Sequence, residues 1–148
     1  MPTKASDQMA TATEVRSDVT PSRKAIIVYW VCTLFVALNA LGAGIIDILH
    51  LQPLFGLLLH LGYPSYFATI LGVWKVLGAI VLVAPRYPLV KEWAYAGMFI
   101  DFSSAVISHL VSGDGAGALA APIVSMVALV GSWYLRPSSR RIPSFGAE

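Results

Sequence analysis

SYFATILGVWKVLGAIVLVAPRYPLVKEWAYAGMFIDFSSAVISHLV, residues 65–111, decides how this chain is built. It consists of two apolar runs, 65–84 and 89–111, joined by the turn Pro85-Arg86-Tyr87-Pro88. At roughly 1.5 Å per residue, each run reaches across a hydrocarbon core of about 30 Å. Lys75 sits near the middle of the first run and Asp101 near the middle of the second. An ionisable side chain at that depth costs about 2.5–3.5 kcal/mol on insertion scales, so each needs a partner or a function. The pattern predicts a membrane hairpin with a charged pair in its interior.

Composition extends that pattern to the whole chain. Its 148 residues are 57% hydrophobic and 12% charged, against about 25% charged in a typical soluble domain. Two further apolar runs, 25–49 and 118–135, complete four spans. Residues 51–64 are also apolar, but Pro53, Gly56, Gly62 and Pro64 interrupt them, which predicts a short interfacial or re-entrant segment rather than a span. The expected fold is therefore all-α: an integral membrane four-helix bundle over 25–137. Residues 1–24 are polar and Ser/Thr-rich, expected to be a disordered cytoplasmic tail, and 138–148 a short basic cytoplasmic tail. The first run starts too late and is too long for a signal peptide, so it reads as an uncleaved anchor.

Charge gives the topology. Of the ten Lys and Arg residues, only Lys75 lies in the middle of a span; the other nine lie at or beyond the span ends on one side if both termini are cytoplasmic. His50, His60, His109 and Asp114 then lie toward the outer face, with Tyr63 and Tyr66, while Trp30, Trp93 and Trp133 lie near the inner one. A net charge of +2, carried beside the spans, gives no reason to expect nucleic acid. The single cysteine, Cys32, excludes an intrachain disulfide, a dithiol relay and a Cys-based zinc cluster.

The spans have faces. In the first, Asn39, Ala43, Asp47 and His50 share one side by helical spacing, and Gly42 and Gly44 permit a close neighbour. In the second, Gly72, Lys75 and Ala79 share a face. The third carries a small and polar stripe of Ala94, Gly97, Asp101, Ser104 and Ser108, with Met98, Phe102 and Ile107 expected toward lipid. The fourth has Ala121, Ser125, Ala128 and Ser132 in line. Pairing the second and third spans about their turn sets Lys75 opposite residue 98. Asp101 is then about 4.5 Å further along the axis, and the two side chains lean toward each other. Lys75, Asp101, Asn39 and Ser104 form the expected intramembrane polar site, as a packing clamp or as a proton- or ligand-handling centre.

Toward the outer face, Asp47 with His50 suggests a local acid–imidazole pair, and His109 a further polar candidate. Near the inner face, Glu92 reads as a helix-start acid favoured by the dipole. No phosphate loop, nucleophile elbow or His-x3-His metal motif occurs, and no metal site is expected. Histidines at the ends of two spans also match a haem-ligand pattern, which nothing else in the sequence favours.

The residues carry a resemblance as well. Trp74-Lys75-x-Leu77-Gly78 followed by Pro85, then Lys91-Glu92-Trp93-Ala94-Tyr95-Ala96-Gly97, Ser108-His109 and Ser132-Trp133-Tyr134-Leu135-Arg136-Pro137 resemble the DoxX-like family of small bacterial membrane proteins. The resemblance covers about 25–137 and implies a four-helix bundle in the bacterial cytoplasmic (inner) membrane. The family takes its name from a subunit associated with thiosulfate–quinone oxidoreductase, and DoxX relatives are linked to membrane oxidoreductase complexes. The implied role is thus a subunit or accessory protein of a membrane redox system. A small proton-coupled carrier using Lys75 and Asp101, or a quinone-binding enzyme with Lys75 or His109 on a carbonyl, is the alternative. No cofactor is evident; a quinone fits the pattern and a haem does not. Expected partners are the lipid bilayer, membrane or soluble oxidoreductase subunits and further copies of the chain.

Overall fold

The computed structural model describes residues 22–142. Of the tail expected over 1–24, residues 1–21 lie outside the described residues, as does the end of the C-terminal tail, 143–148; Ser22, Arg23 and Lys24 instead cap and begin the first helix. Five α-helices follow in order: α1 (Arg23–Ile48), α2 (Leu54–His60), α3 (Ser65–Val83), α4 (Pro88–Val111) and α5 (Ala116–Tyr134), then a 3₁₀ turn at Ser138–Arg140. There is no strand among the described residues. All but α2 are long and apolar enough to cross a membrane, and α2, at seven residues, is far short of the roughly 20 that a span needs. The predicted spans and the short segment between the first two are all present.

The helix ends have local causes. Ser22 Oγ accepts the Ala25 N–H at 3.2 Å and caps α1. Ala84 precedes Pro85 and is extended, which ends α3, while Pro88 opens α4 where its missing N–H leaves no partner wanting. At the opposite end of the bundle α1, α2 and α4 all stop in the same way. His50, Gly62 and Gly113 take left-handed φ values of 53°, 86° and 73°. The next N–H in each case turns back to the helix: Leu51 to Ile46 O at 3.0 Å, Tyr63 to Leu58 O at 3.1 Å and Asp114 to His109 O at 3.0 Å. These turns aim Tyr63 and Asp114 back over the bundle.

Helix packing departs from the expected hairpin. The most intimate pair is α1 with α3, not α3 with α4. Gly44 and Gly72 lie back to back: a Cβ on Gly44 would stand 2.8 Å from Gly72 O, and one on Gly72 2.6 Å from Gly44 O. Small residues let the backbones meet, which is how helices gain dispersion energy where lipid removes the hydrophobic drive. α1 also packs on α5, and α5 on α4. A hydrogen-bond chain ties these three. Thr33 gives its one proton to Tyr29 O at 2.7 Å, so Ser132 must donate to Thr33 (2.6 Å) and Tyr95 to Ser132 (2.8 Å).

Between α3 and α4 the contact is thin, resting on Gly78 against Met98. Met98 and Phe102 were expected toward lipid and are instead buried in the core with Val36, Ala40, Leu82 and Leu129. Large apolar side chains fill the bundle centre, and the stripe of Gly97, Asp101 and Ser104 is left facing a void. Ile107 is exposed as expected.

At the termini end, Lys91 is buried and its Nζ donates to Val81 O (2.6 Å), Leu82 O (3.1 Å) and Ala84 O. An ammonium at the C-terminus of α3 satisfies carbonyls that the helix cannot and opposes its dipole. Arg140 stacks on Trp30, 4.6 Å from the ring centre, and docks the 3₁₀ turn on α1.

Candidate functional site

The loose α3–α4 seam opens a cavity of about 760 Å³. Asn39 and Ala43 of α1, Lys75 and Gly78 of α3, and Gly97, Asp101 and Ser104 of α4 line its depth, with Ser125 of α5 at the back. Four leucines from α2 and its C-terminus (Leu54, Leu57, Leu58 and Leu61) close the α2 end. Trp74 and Trp93 flank the side opening, 69% and 70% exposed. Trp74 is on α3 and Trp93 on α4, so the cavity reaches the surface between these two helices, both long and apolar enough to cross a membrane.

Lys75 stands at its centre between two carboxylates. Nζ donates to Asp47 Oδ2 at 3.0 Å and lies 3.8 Å from Asp101 Oδ1. The predicted partner, Asp101, is therefore present but secondary. Asp47 is 2% exposed and holds the hydrogen bond. The physical reason is the Gly44–Gly72 crossing, which brings α1 against the root of Lys75: a Cβ at Gly44 would lie 3.0 Å from Lys75 Cβ. Lys75 leans toward the α2 end and Asp47 toward the termini end, so they meet. Two carboxylates face one ammonium, and the cluster carries one more acid than base. An ammonium has three protons to give, and Asp47 takes one of them.

The other expected residues divide. Asn39 and Ser104 line the cavity and make no side-chain hydrogen bond among the described residues. Asp47 does not pair with His50. That imidazole sits instead 3.0 Å from Thr69 Oγ1 and stacks on Phe55, with ring centres 4.4 Å apart. Glu92 is more than a helix-start acid: it accepts from Trp133 Nε1 at 2.9 Å and pairs with Arg136, joining α4 to the end of α5.

His109 is not wetted at the surface. It is 5% exposed, lines the cavity near the α2 end, and has Nδ1 2.6 Å from Asp114 Oδ2. The other carboxylate oxygen of Asp114 is 2.9 Å from His60 Nε2. The His109 and His60 hydrogen bonds hold the Asp114 carboxyl below the usual carboxylate range. Nearby, Tyr63 Oη and Ser108 Oγ are 2.7 Å apart. In the sequence Asp114 is one acid in a glycine-rich turn, with no motif of its own. Gly113 was the available signal, because a glycine just past a helix end folds the next residue back onto the last turn.

Comparison with curated proteins gives no match, and comparison with solved structures gives none either. Comparison with protein families matches the DoxX-like family over residues 31–132, from early in α1 to the last turn of α5. The match takes in the Lys75 cluster, the cavity and the α2-end histidines. With four apolar helices around a polar centre, this multi-pass membrane protein belongs to the DoxX-like family.

Proposed function

We propose that the protein is a membrane subunit or accessory protein of a redox system, and that its cavity takes a quinone-type ligand from the bilayer. The observation that carries this reading is an apolar cavity of about 760 Å³, open to lipid between Trp74 and Trp93, with a lysine ammonium at mid-depth. That volume falls in the range of roughly 300–1,000 Å³ typical of small-molecule sites. A quinone ring offers carbonyl oxygens to the remaining Lys75 protons and to the Asn39 amide, and its isoprenoid tail leaves through the side opening into the acyl chains. The basic termini end faces the cytoplasm and the α2 end the outer side, in keeping with the positive-inside rule.

The test uses purified protein in lipid nanodiscs titrated with decylubiquinone, read by quenching of tryptophan fluorescence. Saturable quenching that Lys75→Met weakens at least about tenfold, a loss of the size expected for a charged hydrogen bond, supports the reading. Linear, unsaturable quenching unchanged by Lys75→Met refutes it. Co-purification of oxidoreductase subunits tests the accessory role separately.

A second reading, a proton-coupled carrier, is favoured by one observation: the extra carboxylate in the cluster. It predicts substrate-dependent proton uptake in proteoliposomes that Asp101→Asn abolishes. A substrate taken up without proton movement argues against it.

A further inference from the structure

We propose that His109, Asp114 and His60 form a proton-exchange route between the cavity and solvent at the α2 end. The three side chains are continuous. His60 Nε2 lies 2.9 Å from Asp114 Oδ1, and Asp114 Oδ2 lies 2.6 Å from His109 Nδ1. Their burial is graded along the string. His109 is almost wholly buried and lines the cavity, Asp114 is partly covered, and the His60 side chain is 54% exposed. With Nδ1 engaged by Asp114, Nε2 is the His109 nitrogen left for the cavity.

The surroundings give the string a purpose. On the membrane reading above, the opening between α3 and α4 faces lipid, and leucines of α2 close the cavity's end. A proton on the Lys75 cluster, or on any ligand beside it, therefore meets hydrocarbon on the open side and leucine above. His109 and Tyr63 are the titratable groups on the wall at that end, and the Tyr63 hydroxyl is engaged with Ser108 Oγ at 2.7 Å, which leaves His109. The other titratable or charged groups on the elements packed around it are Asp47 and His50 at the end of α1, Tyr63 after α2, Lys75 on α3 and Asp101 on α4. α5 contributes only Ala121, Pro122 and Ser125 to the cavity wall. Asp101 and His109 are eight residues apart on α4, about 12 Å along the axis, and the cavity spans the interval.

The transfer balances simply. A proton taken up at His109 Nε2 makes an imidazolium, which the Asp114 carboxylate stabilises. The Nδ1 proton passes to Asp114; His60, whose ring is half exposed, exchanges its own proton from Nε2 to Nδ1 with water, the Asp114 carboxyl rotates and gives its proton to the freed Nε2, and the His60 imidazolium releases its Nδ1 proton to water. One proton enters and one leaves, and Asp114 ends as the carboxylate it began as. The same steps run in reverse for uptake.

A simple latch between α2 and the α4–α5 turn would use the same contacts, and Asp114→Asn separates the two. Asparagine keeps a hydrogen bond to each imidazole but cannot carry the proton. The experiment is a rapid pH jump on protein in nanodiscs, followed by infrared absorption of the cavity carboxyls, with Asp101→Asn identifying their band. The route predicts that Asp114→Asn slows the carboxyl response by about tenfold or more, the scale on which a positioned acid–base group acts, in protein that stays folded across the jump. His60→Gln, on the exposed end, carries the same prediction should Asp114→Asn not assemble. Wild-type kinetics in the variant that folds, or no pH-dependent carboxyl signal in the wild type, overturns the route. The inference does not depend on the ligand. Failure of decylubiquinone to bind would count against the quinone reading and leave these rates unchanged.

Discussion

Replacing Lys75 by methionine isolates the energetics of the cluster. The substitution keeps the chain length and removes the ammonium, leaving Asp47 and Asp101 without a counter-charge. Asp47 is almost wholly buried, whereas the Asp101 side chain is 18% exposed along the cavity. Stranding a buried charge typically costs about 3–5 kcal/mol, much more than the net worth of an intact pair. Lys75→Met should therefore destabilise the protein by about that amount. The identity of the partner then follows from the double variants. Lys75→Met with Asp47→Asn neutralises the stranded buried charge and should recover about 2 kcal/mol, within the usual coupling range for contacting residues. Lys75→Met with Asp101→Asn leaves Asp47 stranded and should recover little. Reversible unfolding in mixed micelles with increasing sodium dodecyl sulfate, followed by far-ultraviolet circular dichroism, measures all of these. If Asp101→Asn restores stability better than Asp47→Asn, the α1–α3 pairing is wrong and the α3–α4 hairpin holds the charge.

Two further outcomes follow from the packing and the α2-end string. Gly72→Ala places a Cβ 2.6 Å from Gly44 O and 2.8 Å from Ile48 Cγ1, forcing α1 and α3 apart at about 1–3 kcal/mol; Gly97→Ala, with nothing within 4 Å, should stay within about 0.5 kcal/mol in the same unfolding assay. The Asp114 carboxyl is held below its ordinary value of 3.8 in the folded protein, so its contribution is complete above that value and is lost as pH falls through the lower, folded one. Melting temperature should thus fall on acidification below about pH 4, and Asp114→Asn should flatten that limb; an identical acid limb in the variant would rule Asp114 out as its source.

The bundle was legible in the sequence because it follows from length and hydropathy, which act residue by residue. Lys75 stood out for the same reason: a charge in an apolar run is visible without knowing what surrounds it. Its main partner was not legible. Sequence adjacency through the Pro85–Pro88 turn pointed to Asp101, whereas the Gly44–Gly72 contact between non-consecutive spans put Asp47 closer. Small residues mark where helices can approach but not which helix approaches. The same ambiguity misassigned α4, whose small stripe could equally face a neighbour or a void; burial of Met98 and Phe102 decided for the void. Asp114 escaped notice because its role depends on two histidines, His60 being 54 residues away in the chain.

The central claim, that the α3–α4 opening admits a membrane-borne ligand to Lys75, is tested most directly by photolabelling in nanodiscs with an azido-quinone and mapping the adducts by mass spectrometry. The account predicts label on cavity residues such as Trp74, Gly97 and Ser104, displaced by decylubiquinone and lost in Lys75→Met. Label spread over exposed α5 residues such as Val124 and Val127, indifferent to both decylubiquinone and Lys75→Met, would contradict it.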